Sequence, residues 1–484
     1  MPNSQPKMIQ KLFIANRGEI ACRTIRTCRE LGIRAVVGYS DCDALSYHVK
    51  IADEAVHLGP SPAKLSYMDI GKVVDAARRT GCEAVFPGYG FLSENADFAR
   101  ACRDAGLIFI GPTSEVIARM GDKIATKKAL ADAGVPIIPG LPKLKSADEI
   151  VAFGKEVGWP IIIKAVAGGG GRGMQRVDSA EQAKSALEQA VSIAEKLFGN
   201  GEVYAEKYIR GARHIEFQFI ADAFGRVVHL GDRECSIQRR HQKLVEEAPS
   251  SLLDEPLRNE MGQVVVKAAK EIGYVTAGTL EFLVAPDRRY YAIEVNPRIQ
   301  VEHTVTEMIV GLDIIRLMIR MAVGTPLRLR QEEIRIASHA IQCRVNAEDP
   351  KNDFAPSYGT VTYLRQVSGP FVRADSGIYQ GCEVPPYYDS LVSKICSVGK
   401  DRPTAIERMR RALSEFTVWG IKTTIPLLEK IMVHPDFVSG RFDTDFIDDH
   451  LSELLDYVED EDEILRISRF IAEITALGKN PYSQ

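Results

Sequence analysis

The sequence contains few of the features typical of secreted, membrane-spanning or nucleic-acid-binding proteins. Its nine cysteines include no C-x-x-C pair, so neither a zinc site nor a disulfide framework is indicated. The formal net charge is −4, and nucleic acid is not expected as the main partner, because binding to its phosphates needs a basic surface. No apolar run resembles a signal peptide or a membrane span. We therefore expect a cytoplasmic protein that contacts neither nucleic acid nor membrane.

The first third of the chain predicts an α/β domain. The strand patterns "KLFIAN" and "IRAVVGYSD" flank the helical pattern "RGEIACRTIRTCRELG", which together form a βαβ unit with parallel strands. Ile20, Ile25, Cys28 and Leu31 share one helical face, and Gly32 is the expected C-cap. The turn "NRGE" has one glycine where a dinucleotide-binding turn has three, so NAD binding is not predicted there.

A glycine-rich stretch, "KAVAGGGGRGM" at residues 164–174, raises the first functional question. No G-K-[ST] follows, which excludes a P-loop, and the glycines lead into the strand-like "MQRV" rather than into a helix. Because "WPIIIKAV" before them also has a strand pattern, the unit is a hairpin whose glycine flap covers an anion. An ordinary surface hairpin is the alternative, but Lys164 in an apolar strand needs an anionic partner.

A second hairpin carries acidic residues. The strands "TLEFLV" and "YYAIEVN" are joined by the turn "APDRR". Glu294 and Asn296 share one strand face, and Glu281 lies opposite them if the register allows. Two carboxylates and an amide oxygen suit Mg²⁺ or Mn²⁺. With the glycine flap, Lys164 and Lys123 at a helix start, this hairpin predicts a nucleoside triphosphate site.

The ordered motifs of the whole chain resemble the biotin carboxylase family of the ATP-grasp superfamily. They run from about Lys11 to about His450 and comprise "NRGEIA", "GYGFLSEN", "GDK", "KAVAGGGGRGM", "EKYI", "RHIEFQ", "QRRHQKLVEEAP", "EVNPRIQVEHTVTE", "RVNAED" and "PPYYDSLVSK". The resemblance implies an α/β fold with four parts. These are an N-terminal Rossmann-like parallel-sheet domain (8–121), a central ATP-grasp α+β domain (122–335) with a glycine-rich lid (about 137–210), a C-terminal mixed α/β domain (336–450) and an acidic helical tail (451–484). The tail either packs on its own subunit or docks partner subunits.

The resemblance also implies the residues of the site. Lys123 and Lys164 would hold ATP phosphates beneath the lid glycines, and "EKYI" would face the adenine. His214 and Gln238 would reach the ribose and nearby groups, and His241 would lie close to the nucleotide. The ATP residues are Lys123, Lys164, Gly168, Gly169, Gly170, Gly171, Gly173, Glu206, Lys207, Ile209, His214, Gln238 and His241. The implied metal ligands are Glu281, Glu294 and Asn296. Bicarbonate would be held by Lys243, Arg298 and the backbone near Gln300 and Val301, with Glu302 as general base and Arg344 stabilising the biotin enolate.

The implied reaction is the carboxylation of biotin by ATP and bicarbonate through carboxyphosphate, giving carboxybiotin, ADP and phosphate. The sequence has no Met-Lys dipeptide, so we expect biotin on a separate carrier protein. A carboxyltransferase subunit is the expected further partner, and a homodimer is the expected assembly. Either an acyl-CoA carboxylase subunit or a pyruvate carboxylase subunit of the A type fits, and the final acceptor stays open. The alternatives are another ATP-grasp ligase that phosphorylates bicarbonate or a carboxylate, and a catalytically inactive nucleotide-binding regulatory subunit.

Overall fold

The first part of the chain forms a parallel five-stranded sheet with helices packed on it. The computed structural model describes residues 8–166, 174–457 and 463–476. The strand order is β3-β2-β1-β4-β5. The elements are β1 (Lys11–Ile14), α1 (Gly18–Leu31), β2 (Arg34–Ser40), α2 (Tyr47–Ile51), β3 (Glu54–Gly59), α3 (Ile70–Arg79), β4 (Ala84–Phe86), α4 (Ala96–Asp104), β5 (Ile108–Phe109) and α5 (Ser114–Gly121).

Helix α1 follows the sequence pattern closely. Ile20, Ile25 and Cys28 are buried on its inner face. The helix ends at Gly32, whose φ of +71° is the left-handed conformation of a C-cap. The parallel β1–β2 pairing on either side of α1 confirms the βαβ prediction.

The middle of the chain contains a small sheet and most of a large antiparallel sheet. Its elements are α6 (Lys123–Asp132), β6 (Gly140–Leu141), α7 (Ala147–Val157), β7 (Ile161–Ala165), β8 (Gln175–Val177), α8 (Ala183–Phe198), β9 (Val203–Lys207), β10 (Arg213–Ala221), β11 (Val227–Arg239), β12 (Gln242–Ala248), α9 (Glu255–Ile272), β13 (Thr276–Val284), β14 (Tyr290–Asn296), α10 (His303–Val310) and α11 (Ile314–Ala322). On β10, alternate residues Ile215, Phe217 and Phe219 pack into a core shared with α9. The residues of β10 that alternate with these three lie on the other face of the strand, where polar side chains can be accommodated.

The small sheet, in the order β6-β9-β7-β8, lies where the lid is predicted. Strands β7 and β8 pair antiparallel with Ile161 opposite Val177, which confirms the strand–glycine–strand hairpin. The predicted lid residues Gly168, Gly169, Gly170, Gly171 and Gly173 lie outside the described residues.

The last part of the chain continues the large sheet. Its elements are β15 (His339–Asn346), β16 (Glu348–Asp349), β17 (Ala355–Pro356), β18 (Gly359–Thr360), β19 (Tyr363–Arg365), β20 (Val372–Ser376), β21 (Glu383–Val384), β22 (Leu391–Gly399), α12 (Arg402–Glu415), β23 (Thr417–Trp419), α13 (Ile425–Val433), α14 (Pro435–Ser439), α15 (Phe446–Leu454) and α16 (Glu463–Ala476). The sheet order is β14-β13-β10-β11-β12-β15-β22-β20. Hydrogen bonding therefore continues from β12 to β15, across the domain boundary predicted at 335/336.

The predicted helix of the tail is present as α16. Arg410 of α12 pairs with Glu473 of α16 at the surface, so the described part of the tail packs on its own chain. No helix among the described residues is both long and apolar enough to cross a membrane. The mixed α/β class and the N-terminal parallel sheet expected from the sequence are confirmed.

Candidate active site

The acidic hairpin brings its two carboxylates together. In the β13–β14 pairing, Glu281 lies opposite Glu294 and Thr279 lies opposite Asn296, which is the register that the prediction required. Asn296 donates through Nδ2 to Glu281 Oε1 at 2.8 Å and to Glu294 Oε1 at 3.5 Å. The three side chains therefore meet at one point of the sheet surface.

This donor set suits a hard divalent cation. Desolvation in the cleft and the neighbouring Glu281 carboxylate raise the pKa of Glu294. A cation held between the two acids would offset that repulsion, and Mg²⁺ and Mn²⁺ prefer oxygen ligands of this kind. The residues present thus fit the metal expected from the sequence.

His214 lies at the acidic hairpin rather than apart from it. Its Nε2 is 2.6 Å from Glu281 Oε2. Burial alone would lower the pKa of His214, but the Glu281 carboxylate raises it. The histidine predicted near the ribose therefore contacts a carboxylate that is predicted to bind the metal.

Lys243 links the acidic hairpin to the predicted general base. From β12, its Nζ lies 3.1 Å from Glu281 Oε1, 2.6 Å from Glu302 Oε1 and 2.7 Å from Glu216 Oε2. Burial would lower the pKa of this lysine, yet the carboxylates around it raise it well above its usual value. Lys243 is thus a fixed cation at the centre of the cluster.

Glu302 precedes α10 and is enclosed by cations. Arg344 on β15 donates through Nη2 to Glu302 Oε2 at 2.9 Å and through Nε to Glu246 at 2.5 Å. Burial favours the neutral acid, but Lys243 and Arg344 hold the pKa of Glu302 well below its usual value. The carboxylate is therefore ionised and able to accept a proton.

The turn before Glu302 is fixed on both sides. Gln300 donates through Nε2 to Glu281 Oε1 at 2.7 Å, and its Oε1 accepts from Arg233 Nη2 at 2.7 Å. The Val301 carbonyl accepts from Lys394 Nζ at 2.9 Å. The backbone predicted to hold bicarbonate is thus anchored by the side chains of both the central and the C-terminal parts.

Arg298 is oriented by the N-terminal domain. Its Nε donates to Glu94 Oε1 at 2.6 Å, and its Nη2 donates to Asn296 Oδ1 at 3.1 Å. Glu94 belongs to the motif "GYGFLSEN". The predicted bicarbonate ligand therefore lies beside the acidic hairpin with a carboxylate from another domain as its partner.

The predicted phosphate-binding lysines form a separate cluster across the cleft. Lys123 begins α6, where Asp122 accepts from the Ile124 and Ala125 amides. Lys164 Nζ lies 2.7 Å from Glu206 Oε2. Burial lowers the pKa of Lys164 to about 7, with a further decrease from the neighbouring lysines and a smaller opposing effect of Glu294. The lysines therefore face the acidic hairpin.

The structure locates the other predicted ATP residues around this cleft. Glu206 is buried and pairs with Lys127 and Lys164, and its position at the adenine stays a prediction. Lys207 donates to the Gly158 carbonyl at 2.7 Å, and Ile209 follows the end of β9. Gln238 pairs across the strands with Lys243, and His241 follows at the hairpin turn with a φ of +65°.

Sequence reasoning missed several residues of the cluster. They are Glu94, Lys127, Glu216, Arg233 and Glu246. For Glu216 a signal exists, because "RHIEFQF" alternates His214, Glu216 and Gln218 with three apolar residues and so assigns all three polar residues to one strand face.

Comparison with known proteins shows to which family the chain belongs. Three family models match in order: biotin carboxylase N-terminal domain at residues 8–117, carbamoyl-phosphate synthase L chain ATP-binding domain at 122–330, and biotin carboxylase C-terminal domain at 342–449. Biotin carboxylase 1 of Bacillus subtilis is 48% identical over 91% of this chain and 98% of its own length. The chain belongs to the biotin carboxylase family.

Other members are subunits of larger carboxylases. The A-type subunit of pyruvate carboxylase from Methanothermobacter thermautotrophicus is 48% identical, over 92% of this chain and 90% of its own length. The biotin carboxylase domain dimer of 2-oxoglutarate carboxylase from Hydrogenobacter thermophilus, solved with MgADP, ADP and bicarbonate, is 48% identical. It superposes with a TM-score of 0.90 over 94% of this chain and all of that chain. Family membership makes this chain an ATP-dependent ligase that carboxylates biotin.

Proposed function

We propose that this chain makes carboxybiotin on a separate carrier protein, with the roles of individual residues as follows. The observation that carries the proposal is the position of Lys243, which contacts both Glu281 of the metal hairpin and Glu302. Lys243 would therefore lie between the two substrates. On one side the metal hairpin would bind the nucleotide phosphates, and on the other side bicarbonate would bind beside Glu302. Mg²⁺ or Mn²⁺, held by Glu281, Glu294 and Asn296, would offset the charge of the phosphates.

The first step joins bicarbonate to phosphate. Glu302 takes the hydroxyl proton of bicarbonate, whose oxygen attacks the γ-phosphorus as the bond to ADP breaks. The products are carboxyphosphate and ADP. Lys243 and Arg298 supply the positive charge that two reacting anions need, and Glu94 fixes the orientation of the Arg298 guanidinium.

The second step transfers carbon to biotin. Carboxyphosphate separates into CO₂ and phosphate, and that phosphate takes the N1′ proton of biotin. The resulting enolate attacks CO₂ beside Arg344, whose planar guanidinium suits an oxyanion. Closure of the predicted lid over Lys164 would keep water from the intermediate.

The assembly and the acceptor belong to the same proposal. We infer a homodimer, supported by the dimer of the Hydrogenobacter relative, and a cytoplasmic location. Partners are a carboxyltransferase subunit and a biotinylated carrier, either a carrier protein or a biotinylated subunit. The acceptor is an acyl-CoA, pyruvate or another 2-oxo acid, and the names of relatives include a substrate of each kind.

Biotin dependence of ADP release tests the function. With ATP, Mg²⁺ and bicarbonate, the purified chain should release ADP faster when free biotin or a biotinylated carrier domain is added. In this proposal Glu302 and Arg344, which contact each other, take part in the transfer of carbon to biotin. If the chain were another bicarbonate-phosphorylating ATP-grasp ligase, biotin would not change the rate of ADP release. If it were an inactive regulatory subunit, it would release no ADP. Mass spectrometry of the chain should find no biotinylated lysine.

Weakening the metal site should change the Mg²⁺ requirement. Glu294→Gln removes one carboxylate of the hairpin, and we expect the Mg²⁺ concentration for half-maximal ADP release to rise about 10–100-fold. EDTA should abolish the activity and added Mg²⁺ should restore it. Asp287→Asn, in the exposed turn of the same hairpin and paired with Arg289, is the matched control and should behave as wild type. An unchanged Mg²⁺ requirement in the Glu294 variant would exclude this residue as a ligand.

A further inference from the structure

A third lysine, Lys127, shares the carboxylate that pairs with Lys164. It lies one helical turn after Lys123 on α6, a spacing that places both side chains on one helix face. Its Nζ contacts Glu206 Oε1, while Lys164 Nζ is 2.7 Å from Glu206 Oε2. Glu206 is only 2% exposed. One buried carboxylate therefore serves two ammonium groups at once.

The charges around this carboxylate do not balance. Lys127 faces Lys123 on its own helix, Glu206 and the Tyr204 ring on β9, and Lys164 on β7. Burial, with the charge of Lys123, lowers the pKa of Lys127 to about 8. The lysines lower one another's pKa, and a polyphosphate bound beside them would favour their charged forms.

If Lys164 binds phosphate as proposed, ATP changes the partners of Lys164. A lysine that turns towards a phosphate gives up part of its contact with Glu206. If Lys164 were the sole partner, that movement would leave a buried carboxylate unpaired, which is unfavourable. Lys127 holds the other oxygen of the same carboxylate, so Glu206 keeps a cation when Lys164 moves.

We propose that Lys127 is a positioning residue for ATP: it holds Glu206 and so releases Lys164 to the nucleotide phosphates. The inference rests on the proposed role of Lys164 in phosphate binding. Lys127 acts through Glu206 and need not touch the nucleotide. Its contribution is therefore specific to ATP affinity and conditional on the negative charge of Glu206.

Binding of a non-hydrolysable ATP analogue, measured by calorimetry, tests this proposal. Lys127→Met should weaken the binding of β,γ-imido-ATP about tenfold, which is the effect expected from leaving one buried acceptor unpaired. Lys127→Arg should restore the affinity. Lys128→Met, one residue along and exposed, is the matched control and should stay within about twofold of wild type.

A double-variant cycle with Glu206→Gln separates the possible roles. When residue 206 is neutral, it no longer competes for Lys164, so adding Lys127→Met should then change the affinity by less than about threefold. An equal loss in both backgrounds would mean direct contact with the nucleotide and would overturn the proposal. No loss in Lys127→Met alone would also overturn it.

Steady-state kinetics exclude a merely structural effect. In the biotin-dependent assay, Lys127→Met should raise the KM for ATP while kcat and the KM for bicarbonate stay within about twofold. If kcat and the melting temperature fell together while both KM values rose, the effect of Lys127 would be on folding instead. If the wild-type chain bound no ATP analogue, the proposed function would fail, whereas normal binding by both proteins would reject only the role of Lys127.

Discussion

Replacing Glu302 with glutamine is expected to lower kcat for bicarbonate- and biotin-dependent ADP release by about 10²–10⁴-fold, the usual contribution of a positioned general base. The amide is nearly isosteric but accepts no proton from bicarbonate. Affinity for the ATP analogue should stay close to that of wild type, because Glu302, a partner of Lys243, is proposed to act on bicarbonate and not on the nucleotide. The rate of ADP release at saturating ATP, measured in samples quenched at successive times, checks the loss in kcat.

The environment of Glu302 explains how so weak a base can act. Lys243 and Arg344 hold its pKa well below the usual value, which keeps the carboxylate ionised but lowers its basicity. Bound bicarbonate would take over part of both cationic contacts, and the pKa of Glu302 would then rise towards that of a useful base. Glu302→Asp keeps the charge with a shorter reach and should be less impaired than Glu302→Gln. Bicarbonate-dependent turnover at the wild-type rate in Glu302→Gln would exclude Glu302 as the base.

Replacing Lys243 with methionine is expected to abolish bicarbonate-dependent turnover and to lower the free energy of unfolding by about 3–5 kcal/mol. Glu216, Glu281 and Glu302 are at most 3% exposed, and all three lose a cation that lies within 3.1 Å. Urea denaturation at pH 7.5 measures the loss. Lys143→Met is the control, because Lys143 pairs with Glu202 at the surface and should change stability by less than about 0.5 kcal/mol.

The loss in the Lys243 variant should depend on pH. In wild type the pKa values of Glu281 and Glu302 are lowered in the folded state, so their contribution to stability is present above the unfolded pKa and is lost as pH falls through the folded pKa. In the variant these carboxylates protonate more readily, which relieves their repulsion in acid. The difference between the two proteins should therefore shrink between pH 7.5 and pH 5. A difference independent of pH would contradict the charge-pairing account.

Local patterns were sufficient to predict the acidic hairpin. Strand alternation fixes which residues share a face, so Glu294 and Asn296 were placed together, but the register of Glu281 was left open. In the structure an irregularity between Glu281 and Phe282 shifts the pairing by one residue and brings Glu281 opposite Glu294. The same reasoning gave the helix from Gly18 to Gly32 and the β7–β8 hairpin, because each depends on residues close in sequence.

Contacts between distant segments could not be predicted in this way. Arg298 and Glu94 are 204 positions apart, and no periodicity links a loop of the first domain to a turn of the second. The pairing of Glu206 with both Lys164 and Lys127 was not predicted, because these residues lie on three separate elements. The pairing of β12 with β15 could not be predicted either, since strand pairing across domains leaves no local sequence pattern.

The fate of the bicarbonate oxygen tests most directly whether ATP and bicarbonate react in this cleft. With freshly dissolved ¹⁸O-bicarbonate, ATP, Mg²⁺ and biotin, mass spectrometry of the released phosphate should find one labelled oxygen per phosphate, because the oxygen that attacks the γ-phosphorus remains on it when carboxyphosphate separates. Phosphate released without label, under conditions where ADP release depends on biotin, would contradict the account.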